Sequence, residues 1–354
     1  MFKLIKDFDV KNKRVLVRCD FNVPLDEEGN ILDDYRIKKS LPTIKYLIEQ
    51  KAKIILMSHL DPDSTNVVDR KYNLDKVAEK LAGYVGFSIA KEDNCIGLEV
   101  ENQSNILKPG KILLLENLRF YKEETHSTSS GQADLEFAKK LSYLGDIYVN
   151  EAFSVCHRNH ASITGVPKFI EHCAGLLLEK EIESIDRVLQ NPAKPMIAIV
   201  GGAKVETKSK FINNISKVAD SVIISGLIAK EVAEKNIKFD YPEKIVTPVG
   251  QLDALDINEE SIKIFQEKIA NAKTVLWNGP FGKFEDQEYA KGSLAIADAI
   301  IKSGAFSVVG GGETVEFITK QGMIDKFSHV STGGGAMLSY LSGDKLPGLE
   351  ALGI

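Results

Sequence analysis

Short runs of apolar, mostly β-branched residues recur along the chain. Most are followed by a stretch whose apolar residues return with helical spacing. Arg14–Cys19 (RVLVRC), Lys53–Met57 (KIILM), Lys111–Leu115 (KILLL) and Ile147–Val149 predict buried strands. Between them, Arg36–Gln50, Leu74–Tyr84 and Gln132–Leu144 predict helices. The second half repeats the rhythm. Pro195–Val200, Ser221–Ser225, Lys244–Thr247, Lys273–Trp277 and Phe306–Val309 predict strands. Glu206–Val218, Gly226–Lys235, Glu259–Ala270, Tyr289–Ile301, Thr314–Gln321 and Ala336–Leu341 predict helices. Strand–helix alternation implies right-handed βαβ units and parallel sheets covered on both faces. Two such series predict two doubly wound α/β domains. Leu176–Gln190, a long helical pattern closed by Asn191-Pro192-Ala193-Lys194-Pro195, is the natural divide.

Length supports that division, because a chain of 354 residues exceeds what one core usually organises. Composition is that of a soluble protein, with 44% hydrophobic and 27% charged residues. A net charge of -5 gives no reason to expect nucleic acid or an acidic membrane as partner. Any anion site must therefore be built locally. Cys19, Cys95, Cys156 and Cys173 are scattered with no C-x-x-C pair, which fits a reducing cytoplasm. Neither a signal peptide nor an apolar run of membrane-spanning length is expected.

Ligands of parallel α/β sheets bind at the carboxyl ends of the strands, so the residues after each strand carry the chemistry. In the first half these are Asp20-Phe21-Asn22, Ser58-His59, Glu116-Asn117-Leu118-Arg119 and Asn150-Glu151, leading to His157-Arg158-Asn159-His160, with Arg36 opening a helix nearby. Such a set suits a small anion carrying hydroxyl, carboxylate and phosphate groups. His157 and His160 have no cysteine or carboxylate at ligand spacing beside them. They read as basic anion contacts or local structure in preference to zinc ligands. In the second half the strands lead into Gly201-Gly202-Ala203-Lys204, Trp277-Asn278-Gly279-Pro280 and Gly310-Gly311-Gly312-Glu313-Thr314, with Ser331-Thr332-Gly333-Gly334-Gly335 before a helix. Glycine lets the backbone approach an anion, and helix N-termini present unpaired N–H groups to it. Four such turns indicate phosphate binding. The lack of a Walker A loop or of G-x-G-x-x-G weighs against a nicotinamide dehydrogenase. Phosphoryl transfer needs positioning, cations and a metal, and no strong base.

The segments VLVRCDFNVPL, MSHL, LLLENLRFYKEE, HRNHAS, IVGGAKVETK, VLWNGPFGKFE, AKGS, VVGGGET and FSHVSTGGGA, in this order from residue 15 to 336, resemble phosphoglycerate kinases. The resemblance implies a monomeric cytoplasmic enzyme of two Rossmann-like domains that close about a hinge. It would transfer phosphate between 1,3-bisphosphoglycerate and ADP to give 3-phosphoglycerate and ATP with Mg2+. It implies a glycerate-binding domain at 1–173, a hinge helix at 174–194, a nucleotide domain at 195–337 and a tail, 338–354, returning to the first. Asp20 and Asn22 would hold the hydroxyl and carboxylate side of the glycerate. Arg36, His59, Arg119 and Arg158 would hold its carboxylate and phosphate. Lys204, with Arg36 and Gly334, would serve the moving phosphoryl group. Gly202, Lys208, Asn278, Pro280, Glu285, Gly312, Glu313, Thr314, Gly333 and Gly335 would meet the nucleotide, and Glu313 the metal.

The chain departs from that pattern in places. His59-Leu60-Asp61-Pro62-Asp63 stands for H-L-G-R-P, so a substrate arginine is missing, and Arg70 or Lys71 is a candidate replacement. Glu313 replaces an aspartate, Ser225–Ala229 replaces G-G-G-M-A, and Lys235–Asp253 is tens of residues short. These changes keep a second reading open, a non-catalytic ligand-binding relative. If the enzyme is active, they predict relaxed preference for the nucleotide base.

Overall fold

The computed structural model describes residues 2–60, 69–125, 133–203, 205–206 and 208–354. These form two compact units, Met1–Lys180 with Lys345–Ile354, and Glu181–Asp344. The division falls inside the helix Leu176–Gln190. Among the described residues, no helix is long and apolar enough to cross a membrane.

The first unit holds strands β1 (Arg14–Arg18), β2 (Lys53–Met57), β3 (Ala90–Lys91), β4 (Ile112–Leu114), β5 (Ile147–Asn150) and β6 (Glu171–Ala174). They form one sheet in the order β3-β4-β2-β1-β5-β6, and every pairing is parallel. The second unit holds β7 (Met196–Val200), β8 (Ser221–Ile224), β9 (Ile245–Val246), β10 (Thr274–Asn278), β11 (Phe306–Gly310) and β12 (His329–Val330), ordered β12-β11-β10-β7-β8-β9 and again all parallel. The central strands are apolar at nearly every position because helices cover both faces. The Val15, Val17, Ile54, Leu56, Ile112, Leu114 and Val149 side chains join Ile37, Ile44, Val77 and Leu81 in the first core.

Every strand expected from the pattern is present within a residue or two at each end. Three more appear, β3, β6 and β12, and all lie at sheet edges. They are two to four residues long and carry polar positions such as Glu171 and His172, so they are too short and too polar for period counting. The helix Leu98–Ile106 also escaped the pattern. It buries only Val100 and Ser104, so it has almost no apolar stripe.

In each sheet the chain builds outward from a central strand, then crosses to its other side. The first crossing point lies between β1 and β5, the second between β7 and β10. Crevices for ligands open at such points. The register makes both crevices sharp. Arg18 pairs with Met57 and Asn150, and Asn278 pairs with Val200 and Gly310. The strands thus end level, and the residues after them crowd one edge.

Candidate active site

In the first unit, Asp20 follows β1 and is buried. Its Oδ2 lies 3.0 Å from Arg36 Nη1 and accepts a hydrogen bond from the Ser154 hydroxyl, and its Oδ1 accepts the Asn22 N–H at 2.9 Å. Burial alone would raise the Asp20 pKa, but Arg36 above all, with the Ser154 and Asn22 hydrogen bonds, brings it down to about 2. Arg36 also donates to the Asn22 carbonyl at 2.9 Å, so its guanidinium ties the first helix to the loop after β1. A cleft of about 370 Å³ opens here, lined by Asn22, Val23, Pro24, Leu25, Arg36, Leu60, Lys71 and Tyr72.

His59 follows β2 and is almost wholly buried. Burial, aided by the positive charges of Arg18, Arg119 and Arg36, holds its pKa well below the usual imidazole range. Burial also lowers His157, and it brings His160 to about 3, with Arg119, Arg18 and Arg158 contributing. Both rings are therefore held toward the neutral form. Both Nδ1 atoms are buried without a hydrogen-bond partner among the described residues, so the side chains do not decide between the two readings. The His160 carbonyl caps a turn by accepting the N–H groups of Ile163 and Thr164 at 3.0 and 2.9 Å. Arg119 sits in the turn that Asn117 caps at 2.9 Å, and Arg158 is exposed close to both histidines. The structure thus gathers Asp20, Asn22, Arg36, His59, Arg119 and Arg158 around one strand edge.

Arg18, Glu124, Ser154 and Ser162 belong to this cluster, yet pattern analysis passed over them. Arg18 and Glu124 are fully buried as an ion pair at 3.6 Å. A charged residue inside the apolar run RVLVRC was the available signal, since a buried charge requires a partner.

In the second unit, the Gly201 N–H donates to the Asn278 carbonyl at 2.8 Å and the Gly202 N–H to that of Pro280 at 3.0 Å. A Cβ on Gly201 would overlap the Gly279 and Pro280 carbonyls, so two glycine turns meet only because both lack side chains. The Thr314 hydroxyl accepts the Gly279 N–H at 2.7 Å, and Asn278 Nδ2 donates to the Gly310 carbonyl at 3.2 Å. These bonds lock β10 to the next turn. Helices begin at Gly312 and at Gly334, and a Cβ on Gly334 would stand 3.4 Å from the Gly312 nitrogen. Two helix N-termini therefore point into one small space, an arrangement that favours anions. Gly333 precedes and Gly335 follows in the same turn. Lys208 is half-buried at the Gly201–Gly202 turn and donates to the Gly201 carbonyl. Burial lowers its pKa, and nearby Glu313 pushes back.

Thr332 is anchored from below. Its N–H and hydroxyl both donate to Glu181 Oε1, at 2.7 and 2.8 Å, while His329 Nε2 lies 2.8 Å from Glu181 Oε2. Glu285 is exposed and, among the described residues, shares no hydrogen bond or ion pair with the glycine turns. Lys204, Asp61 and Asp63 lie outside the described residues.

The shortened segment packs back onto its domain. The Leu252 carbonyl lies against Gly226, where a Cβ would collide with it. Ser225 caps the helix Gly226–Glu234 and donates to the Gly202 carbonyl at 2.6 Å. A cleft of about 90 Å³ remains, with Leu227, Pro248, Val249, Leu252 and Phe281 on its apolar side and Gln251, Asp256 and Asn258 on its polar side. It has an apolar wall beside the phosphate-type turns.

Comparison with known proteins agrees with this geometry. The family model described as phosphoglycerate kinase matches residues 5–244 and 230–344. Its two pieces meet at the segment that the sequence shows to be short. The phosphoglycerate kinase of Dictyoglomus turgidum is 41% identical over 394 aligned positions, covering 98% of this chain and 97% of the relative. That of Aquifex aeolicus is 40% identical, covering 99% and 98%. The solved phosphoglycerate kinase of Pyrococcus horikoshii superposes with a TM-score of 0.86 at 31% identity, covering 100% of this chain and 98% of the other. That of Coxiella burnetii gives 0.82 at 32%, covering 100% and 99%. With an acid-and-guanidinium cluster on one sheet, four glycine turns on the other, and these matches over the whole length, the chain belongs to the phosphoglycerate kinase family.

Proposed function

We propose that this kinase reversibly transfers a phosphoryl group between ATP and the carboxylate of 3-phosphoglycerate, with 1,3-bisphosphoglycerate and ADP on the other side of the reaction. The observation that carries this reading is the pairing of two unlike anion rims, one on each sheet. The first offers guanidinium groups with a carboxylate and an amide, suited to a small hydroxy acid phosphate. The second offers backbone N–H groups at two helix starts, suited to a polyphosphate. The apolar cleft by Gly226, Leu227 and Phe281 would take the base.

In this reading the carboxylate oxygen attacks phosphorus as the bond to the ADP oxygen breaks, so no proton is moved and no base is needed. Arg36 would hold the attacking carboxylate, with Lys204 and the Gly334 N–H group on the phosphoryl oxygens. Mg2+ fits Glu313, an exposed carboxylate in the first turn of the helix at Gly312, together with phosphate oxygens and water. The ion would neutralise charge on those oxygens. A monomer in the cytoplasm is the accompanying proposal, and four buried free thiols fit the reducing compartment.

The test is a coupled assay of the purified chain with 3-phosphoglycerate and Mg-ATP. Turnover is expected, and its absence in folded protein would favour the non-catalytic alternative. Lys204→Ala is expected to lower kcat by about a hundredfold or more, the scale of one lost electrostatic donor, with a modest change in KM.

A further inference from the structure

We infer that the buried pair Arg18–Glu124 positions His59 as a neutral hydrogen-bond donor, its proton fixed on Nε2 and offered to an acceptor oxygen of the substrate. The inference rests on the proposed function, with His59 among the substrate contacts that the family resemblance implies, and it adds the protonation state and the residues that impose it.

A guanidinium has five N–H donors and no acceptor. Those of Arg18 are committed. Its Nε donates to Ser162 Oγ at 2.7 Å and its Nη1 to the Cys19 carbonyl at 2.6 Å, while Nη2 lies 3.6 Å from Glu124 Oε1. Nη1 and Nη2 both lie 3.3 Å from His59 Nδ1. A proton on Nδ1 would face two N–H groups at that distance. Nδ1 must therefore present its lone pair, which leaves the ring proton on Nε2. The Asp20 Oδ1, 4.0 Å away, is too far to accept a hydrogen bond from Nδ1, although its charge works against the burial and the guanidinium groups that keep the ring neutral.

Arg18 has no room to turn aside. It is fully buried at the end of β1, between Glu124 and Ser162. Glu124 accepts the Ser162 hydroxyl at 2.6 Å and the Ser162 N–H at 2.9 Å, and the Ser162 carbonyl accepts the Tyr148 hydroxyl at 2.9 Å. Each polar group of this network satisfies another, so the fork that meets His59 is held from behind. Burial and the surrounding guanidinium groups also disfavour the imidazolium form. His59 then acts as a positioned dipole. It offers one N–H to an oxygen of the ligand, takes no part as general base, and leaves full charge on that side of the cleft to the arginines.

The test is spectroscopic. Long-range proton–nitrogen correlation of the full-length protein labelled with nitrogen-15 histidine, without ligand and at neutral pH, should show His59 protonated at Nε2 and bare at Nδ1. Arg18→Lys, if it folds, should yield a mixture of tautomers. A wild-type spectrum with Nδ1 protonated, or with an imidazolium, overturns the inference. The donor role is read from two substitutions. A glutamine amide nitrogen reaches the place of Nε2, whereas an asparagine amide nitrogen reaches only that of Nδ1. H59Q should bind 3-phosphoglycerate about tenfold or more tighter than H59N, the scale of one hydrogen bond to a charged group. Equal affinities would remove the donor role. The spectrum needs no substrate, so an inactive wild-type protein with the expected spectrum overturns the functional reading and upholds the Arg18–His59 arrangement.

Discussion

Arg18 ends an otherwise apolar strand, and its guanidinium organises side chains from three other segments, His59, Glu124 and Ser162, besides bonding the carbonyl of its own neighbour Cys19. The individual residues of the site were legible in the sequence as types and spacings: Asp20, Asn22, Arg36 and His59 all stand just past strands or at a helix start. Their couplings were not, because Ser162 lies 144 residues from Arg18 and Ser154 lies 134 from Asp20. Periodicity has no reach over such separations. Lys71 is a further case. Of the two candidates to replace the missing arginine, Lys71 lines the cleft with Arg36 and Asn22, whereas Arg70 is exposed. Lys71→Ala should raise KM for 3-phosphoglycerate about tenfold, the scale for one charge-assisted contact, with kcat little changed. Arg70→Ala should leave that KM within a factor of about two. Steady-state kinetics with ATP saturating decides it. An unmoved KM in Lys71→Ala would remove Lys71 from the phosphate contacts.

Two helices start earlier than the pattern places them. The helices at Gly312 and Gly334 begin two residues before the starts expected at Thr314 and Ala336. Glycine is a poor helix former, so propensity places the start too late. The glycines are there for close approach to an anion, and that requirement prevails. A different start is built at Leu176. The Leu177 N–H donates to both Glu151 oxygens, at 3.1 and 3.2 Å, the Leu176 N–H to the Thr43 hydroxyl at 2.9 Å, and that hydroxyl donates to Glu151. Glu151 thus caps the helix from β5. Burial raises its pKa to about 7, against the lowering effect of those hydrogen bonds. An acid whose folded pKa exceeds its unfolded value binds more protons when folded. Stability therefore falls as pH rises from about 4.5 to about 7 through this group. Glu151→Gln keeps an acceptor for the helix and removes the titration. Its Tm relative to wild type should rise steadily from pH 5 to pH 8, followed by circular dichroism. A difference that does not change with pH would show that Glu151 keeps its charge in the fold.

At the scale of the molecule, the strand rhythm carried both sheets and their parallel sense. It could not show that one unit is discontinuous in sequence. The segment from Lys345 to Ile354 belongs with the first unit. Leu346, Leu349 and Leu352 are buried there, and the Gly348 N–H donates to the Cys156 carbonyl at 2.8 Å. A Cβ on Gly348 would press on Ile163 and on Cys156, so the fit is close. Burying three leucines contributes about 5 kcal/mol or more. A version ending at Asp344 should therefore show a first-unit transition displaced to lower temperature in calorimetry. The order of synthesis gives the same feature another meaning. Glu181–Asp344 is one unbroken stretch and can complete its core as soon as it has left the ribosome. The unit made earlier must wait with the surface around Ile163 and Cys156 uncovered until Lys345–Ile354 emerges. The half of the protein that is translated first thus cannot finish folding until Lys345–Ile354 has been made. Its uncovered edge is where a chaperone would have most to protect.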